Sequence, residues 1–188
     1  MNSAPAAPSP LAYPINVARL PTRGMPLRIV ADEDQRRELA DAHGLLSVER
    51  LEAELLVTAW KSRGVRVTGR LRAKISQSCV VTLEPVVSRM DEPITAVFAP
   101  EGSRLLRPDM DEGGEILLDA EGPDGPEPFS GNEIDAGALV EEFFALAIDP
   151  YPRKAGVALE AGEEAADPDA EEARGPLHDQ LRQLKKNG

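Results

Sequence analysis

The clearest pattern along the chain is an alternation of apolar and polar residues in its middle third. Apolar residues recur at every second position over residues 51–59, and again over residues 65–75. Because successive side chains of a strand point to opposite faces of a sheet, this period predicts two half-buried strands. The residues between them predict a hairpin turn in which Gly64 adopts a positive φ.

Shorter apolar runs predict the remaining strands. Residues 13–21 predict a short strand, and two further strands are expected at about 79–87 and 94–98. Pro85 indicates an edge position or a bulge, because proline cannot donate a ladder hydrogen bond. Strands spaced this closely favour an antiparallel meander.

Two helices are marked by their caps. Asp32 predicts an N-cap with Gln35 completing a capping box, and Gly44 marks the end of that helix. Asp135 predicts the N-cap of a second helix, whose wide apolar stripe ends before Pro150.

These elements predict an α+β fold, in which an antiparallel sheet or partial barrel packs against one or two helices. Residues 1–10 are mostly Ala, Pro and Ser and are expected to be disordered. Residues 11–157 form the predicted single domain, which includes a long acidic loop at 100–131. Residues 158–188 predict an acidic linker followed by a short C-terminal helix.

Composition narrows the class of protein. The 188 residues carry a net charge of −12 and include one Cys and two His. A single Cys excludes an internal disulfide framework and a structural zinc cage built from thiolates. No apolar run is long enough to span a membrane, and the N-terminus lacks the pattern of a secretory signal. We therefore expect a cytoplasmic protein that has no membrane contact.

The sequence offers little support for catalysis. Glycine-rich nucleotide-binding motifs are absent, and His43 and His178 lie in unrelated segments with no evident carboxylate partner. Cys79 is expected to be a buried apolar residue, although a His beside it in space would make it a candidate nucleophile. Glu84 is expected to face outward from its strand. We predict a non-enzymatic protein without cofactor, metal or small-molecule substrate.

Charge is strongly segregated along the chain. Residues 61–90 carry a net charge of +6, whereas residues 91–174 carry −18. Four cations share the outward parity of the second central strand, and their row spans roughly 27 Å. The guanidinium group of arginine and the ammonium group of lysine bind the phosphates of nucleic acids. The candidate binding site therefore consists of Arg66, Arg70, Arg72 and Lys74.

The same row is also compatible with two roles that involve no nucleic acid. The cations could form a solvated sheet face paired with Glu52 and Glu54 of the neighbouring strand, or could dock against the acidic segment of the same protein. No aromatic residue interleaves with the row, so a platform for base stacking is not expected.

Three stretches resemble a known family. They are V-x-V-x-G-x-L-x-A-x-I-x-x-x-C-V-V-T-L-E-P-V at 65–86, E-I-D-A-G-A-L-V-E-E-F-F-A-L-A-I-D-P-Y-P-R at 133–153, and G-P-L-x-x-Q-L-R-Q-L-K-K at 175–186. Their order and spacing are similar to those of the YceD family, the large ribosomal RNA subunit accumulation proteins.

The resemblance implies a non-enzymatic ribosome biogenesis factor that promotes 23S rRNA accumulation and large-subunit assembly. Many members carry Cys-x-x-Cys, whereas Thr82 replaces the second Cys here, and one thiol cannot hold a four-ligand zinc. The family motif maps onto eight positions: Cys79, Thr82, Glu84, Pro85, Ile134, Asp135, Glu141 and Glu142.

The resemblance also gives the basic row a partner, which is 23S rRNA or a precursor large-subunit particle. The alternative is an acidic protein-interaction adaptor that binds a basic ribosomal protein through the loop at 100–131.

Overall fold

The computed structural model describes residues 9–106 and 125–156. Neither helix in these ranges is long and apolar enough to cross a membrane. The elements are β1 (Pro14–Asn16), β2 (Met25–Val30), α1 (Glu33–Ala42), β3 (Ser47–Trp60), β4 (Gly64–Ser78), β5 (Pro85–Pro100), a 3₁₀ turn (Arg104–Leu106), β6 (Glu127–Phe129), β7 (Glu133–Asp135) and α2 (Ala136–Ala147).

Five of the strands form one open sheet in the order β2-β3-β4-β5-β6. The first three pairings are antiparallel, and β6 runs parallel to the last three residues of β5. Strands β1 and β7 pair separately and antiparallel. The predicted α+β fold with a largely antiparallel sheet is therefore confirmed, and the sheet formed by the described strands does not close into a barrel.

The period-2 pattern places the core on one face of this sheet. Val57, Val67 and Leu71 are fully buried on the inner face of β3 and β4. The helices cover that face with side chains such as Leu39 of α1 and Phe144 of α2, which are also fully buried. The cations of β4 alternate with these residues and point to the opposite face of the sheet.

Both predicted helix caps are confirmed. Asp32 accepts the N–H of Gln35 at 2.9 Å, and the side chain of Gln35 accepts the N–H of Asp32 at 3.0 Å. The carboxylate of Asp135 accepts the N–H groups of Gly137 and Ala138, and it also accepts the N–H of Tyr13 at 2.8 Å. One aspartate therefore caps α2 and ties the N-terminal segment to it.

The structure corrects two sequence expectations around β5. The segment expected as a strand at 79–87 is a loop as far as Glu84, which lies outside any strand and bonds Lys154. The strand expected at 94–98 is one end of the much longer β5, and Pro85 is the first residue of that strand. Proline is tolerated there because the first residue of a strand can do without a ladder donor.

The hairpin turn also differs from its prediction. Ser62 and Arg63 adopt positive φ angles of 45° and 66°, whereas Gly64 does not. Gly64 is needed for a different reason, because a Cβ there would lie 2.8 Å from the carbonyl oxygen of Phe98. The apolar pattern also does not predict strand β2, or strand β6 within the acidic loop.

Three predictions lie wholly or largely outside the described residues. They concern the disordered N-terminus, most of the acidic loop, and the C-terminal linker and helix that contain His178.

Candidate nucleic-acid interface

Strand register gathers seven cationic side chains on the face of the sheet opposite the core, here called the outer face. The four predicted cations lie in one row along β4, and neighbouring strands add Arg28, Arg50 and Arg89. Arg50 and Arg89 are the register partners of Lys74 on either side. The sequence did not single out these three, because their place on the face depends on which residues the strands align.

Carboxylates on the same face pair with most of these cations. Asp91 accepts Arg70 at 2.9 Å and lies 3.8 Å from Arg72, and Lys74 pairs with Glu49 at the bulge of β3. Three of the four cations in the row are therefore paired, with Asp91 and Glu49 and not with Glu52 and Glu54, the partners that one alternative from the sequence offered.

Glu52 instead binds the two added arginines of β2 and β3. Arg50 lies 2.6 Å and Arg28 3.2 Å from its carboxylate oxygens. Hydrogen bonds from Arg50 and then Arg28 lower the pKa of Glu52, so its negative charge is held firmly at neutral pH.

Counting both signs leaves the outer face positive. Among the residues that the structure describes, seven cations stand against four carboxylates, namely Glu49, Glu52, Glu54 and Asp91, which gives this face +3 within a chain of −12. Arg70 and Asp91 are each about half exposed, at 51% and 54%. Exposed pairs of this kind contribute about 0–1 kcal/mol, so a phosphate can exchange with the carboxylate at little cost.

An aromatic side chain also lies on this face, beside the end of the basic row and not within it. Trp60 ends β3 with the outward parity, and it is the register partner of Gly64. The Nζ atom of Lys61 lies 5.4 Å and the Cζ atom of Arg66 5.9 Å from the centroid of its ring. These distances fall in the cation–π range. Sequence order hid this arrangement, because Trp60 precedes the turn and the basic row follows it.

The family position Cys79 lies in the loop between β4 and β5 and is fully buried. The hydroxyl of Thr82 and the backbone N–H groups of Lys154, Thr82 and Val81 are donors that favour the charged form of its sulfur. These donors lower the pKa of the Cys79 thiol to about 6. The hydroxyl of Thr82 therefore favours the thiolate form of Cys79.

Lys154 also joins this loop to the segment after α2. Its ammonium lies 2.7 Å from the carboxylate of Glu84, and the pair lowers the pKa of Glu84 and raises that of Lys154. The backbone N–H of Val80 donates to the carbonyl of Pro152 at 3.0 Å. The loop is thus fixed by contacts that require no metal ligand.

His43 has a carboxylate partner that the sequence did not suggest. Its Nε2 atom lies 3.1 Å from Glu141 of α2, and its ring meets Phe144 edge-on at 5.5 Å between centroids. These contacts join α1 to α2. Within the described ranges, no group of three or more His, Cys, Asp or Glu residues is placed to hold a metal ion.

The remaining family positions lie at α2 and around a cleft of about 320 Å³ between β6, β7 and α2. Ile134 is buried in β7 beside the capping Asp135, and Glu142 lies at the cleft. Four carboxylates line this cleft together with apolar side chains that include Phe98, Phe129 and Leu139; the carboxylates are those of Glu127, Glu133, Asp135 and Glu142.

Comparison with known proteins identifies the family. Residues 67–186 match the family model described as large ribosomal RNA subunit accumulation protein YceD. No match was found among curated proteins or among solved structures. The matched region covers more than half of the chain and includes most of β4, all of β5 and α2, and the loop that holds Cys79. The chain belongs to the YceD family of large ribosomal RNA subunit accumulation proteins.

Proposed function

We propose that the protein acts in large-subunit assembly by binding 23S rRNA, or a precursor particle, directly through the outer face of its sheet. Family membership gives the general role in ribosome biogenesis and 23S rRNA accumulation. The observation that carries direct binding is the +3 outer face, which an acidic chain assembles from four strands. This role requires no catalytic step.

Counterion release would supply much of the binding energy. Each phosphate contact formed by a lysine or arginine displaces condensed cations from the RNA, so affinity falls steeply with salt. Arg70 and Arg72 are half exposed and share Asp91, and they can turn to phosphates without leaving a buried charge unpaired.

Binding to 23S rRNA fragments over a salt series tests this proposal. We expect Arg70→Gln/Arg72→Gln to weaken binding and to make the slope of log K against log salt less negative by up to about 2, since each lost contact removes roughly 0.7–0.9. The matched control is Arg37→Gln/Arg153→Gln, which makes the same charge change away from the sheet. If Arg70→Gln/Arg72→Gln shows the same affinity and the same salt slope as the control variant, direct binding through this face is excluded.

The acidic cleft supports a second candidate function, that of an adaptor for a basic ribosomal protein. Its carboxylates surround an apolar floor that includes Phe129 and Leu139, and no lysine or arginine is among the residues that line it. A basic segment carrying one apolar side chain has the complementary chemistry.

Co-purification of ribosomal proteins after nuclease treatment tests the adaptor function. Glu133→Gln/Glu142→Gln should abolish the co-purification if the cleft holds the partner, and Arg70→Gln/Arg72→Gln should leave it intact. The reverse result would assign the interaction to the outer face.

A further inference from the structure

Trp60 lies at a corner of the outer face, at the end of the hairpin formed by β3 and β4. Its register partner Gly64 has no side chain, and an added Cβ there would come within 2.8 Å of the indole Cε3 atom. The ring therefore lies against the backbone of Gly64, and it is only partly buried. We call residues 60–66 the hairpin tip.

The hairpin tip surrounds this ring with positive charge. Lys61 and Arg66 stand within 6 Å of the ring centroid, and Arg63 lies in the turn between them. All three side chains are exposed, and residues 60–66 include no carboxylate. An aromatic plane flanked by cations is the usual means of holding single-stranded nucleic acid, because every base has a π-face and every linkage a phosphate.

The cations of the tip differ from those further along β4. Arg70, Arg72 and Lys74 each form an ion pair, whereas Lys61, Arg63 and Arg66 form none with the described part of the chain. A phosphate arriving at the tip would displace no carboxylate of the residues that the structure describes. Arg63 also lines an adjoining cleft of about 360 Å³, whose other charged lining residues are Arg104 and Glu101.

We propose that the hairpin tip binds an unpaired base of RNA, which stacks on the indole of Trp60 in place of the cations that now lie over the ring, while Lys61, Arg63 and Arg66 contact the flanking phosphates. This inference rests on the proposed function and narrows its substrate to single-stranded regions. Bases in a double helix are stacked on one another, so a duplex can use the cations of the face but not the ring.

Tryptophan fluorescence tests the inference directly, because Trp60 is the only tryptophan in the chain. The probes are a short unstructured RNA and a duplex of the same sequence, with affinities measured separately by anisotropy of labelled RNA. We expect the single strand to quench the fluorescence. We expect Trp60→Ala to weaken single-strand binding by about 5- to 150-fold, as loss of one stacked base does, and to leave duplex affinity unchanged.

Two further variants guard against a purely structural effect. Trp60→Phe keeps an aromatic face and should retain part of the single-strand affinity. Tyr151→Ala removes an exposed aromatic ring that lies outside the sheet, and it should have no effect.

The outcomes separate this inference from the proposed function. The stacking site is wrong if the wild-type protein binds RNA without fluorescence quenching, or if Trp60→Ala binds the single strand with full affinity. Either result leaves binding by the outer face intact. If Trp60→Ala loses affinity equally for the single strand and for the duplex, the ring has only a structural role, and the stacking site is again wrong. If neither probe binds the wild-type protein, direct RNA binding itself is wrong.

Discussion

Gly137, the second residue of α2, marks a close approach between the helix and the N-terminal segment. A Cβ at this position would collide with the backbone carbonyl of Leu11. The adjacent N-cap, Asp135, holds the N–H of Tyr13, so the segment that carries Leu11 cannot move away freely. The absence of a side chain is therefore what lets the segment and the helix meet.

We predict that Gly137→Ala destabilises the protein by about 1–3 kcal/mol, as overpacking against a fixed group does. In an open helix the same change would stabilise by roughly 1 kcal/mol, so the sign of the effect is diagnostic. Urea denaturation measures it. The control Gly125→Ala, where no atom lies within 4 Å of the added Cβ, should be neutral or slightly stabilising.

Cys79 gives the folded protein a stability that depends on pH. Its folded-state pKa is lowered to about 6, below the ordinary thiol value of 9.0. The contribution of the thiolate to the free energy of unfolding is therefore fully present above pH 9, and it is lost as the pH falls through about 6. The pKa of Glu84 is lowered and that of Lys154 is raised, so both groups titrate outside this window.

We predict that the stability difference between wild type and Cys79→Ala grows from pH 6 to pH 9. Urea midpoints at three pH values in this range measure it. Thr82→Val keeps the thiol but removes the hydroxyl donor, and it should show a shallower pH dependence than wild type. Parallel curves for wild type and Cys79→Ala would contradict a lowered thiol pKa.

Among the elements, the turn between β3 and β4 is strained at two positions. Ser62 and Arg63 both lie in the left-handed region, and the N–H of Gly64 donates to the carbonyl of Lys61 at 2.7 Å. Two consecutive residues of this kind are typical of a type I′ turn, where Asn-Gly is the favoured pair. The sequence Ser-Arg carries a conformational penalty there, and it places a cation in the turn.

We predict that Ser62→Asn/Arg63→Gly stabilises the protein by about 1–2 kcal/mol, because Asn and Gly accept positive φ more readily. Thermal unfolding measures the gain, and Arg63→Ala serves as a control that removes the charge without relieving the strain. If the tip binds RNA, the double variant should be more stable yet bind single strands more weakly. Unchanged stability would mean that the turn is not strained.

The periodicity of the sequence predicted the strands and helices only where one face of the element is buried. The alternation in β4 identified both its core residues and the four cations, and Asp32 and Asp135 identified the helix starts. The run from Cys79 to Val87 is apolar without period, and its loop is closed by backbone hydrogen bonds from Cys79 N–H to the carbonyl of Glu84 and from Leu83 N–H to the carbonyl of Cys79. Backbone bonds of that kind leave no pattern in the sequence.

The candidate site was predicted in part for a related reason. The row on β4 follows from its own parity, whereas Arg28, Arg50 and Arg89 join it only through strand register. Trp60 likewise meets Arg66 only after the hairpin closes.

For the whole molecule, net charge is a poor guide to what the protein can bind. The chain carries −12, yet the outer face carries +3 and the cleft beside α2 is lined by four carboxylates. Opposite charges are thus presented on separate surfaces. Salt screens exposed charges beyond about 8–10 Å, so a ligand on one surface responds mainly to that surface.

We predict that Glu49→Gln/Asp91→Asn strengthens RNA binding, because it frees Arg70, Arg72 and Lys74 from their carboxylates. The salt slope should become more negative by about 1–2 if the freed cations reach phosphates. Glu133→Gln/Glu142→Gln changes the net charge equally but alters the cleft, and it should leave RNA affinity nearly unchanged. Equal gains in both variants would show that total charge, and not the outer face, governs binding.

The pairing of β1 with β7 has a consequence for the order of folding during synthesis. It joins residues separated by about 120 positions, through Tyr13 and Asp135 as well as the strand register. At 5–20 residues per second, Asp135 is synthesised roughly 6–24 s after its partner. The hairpin of β3 and β4 is local and can form well before then. The N-terminal segment therefore has no partner strand until β7 has been synthesised, and the core is closed only after α2 has emerged from the ribosome.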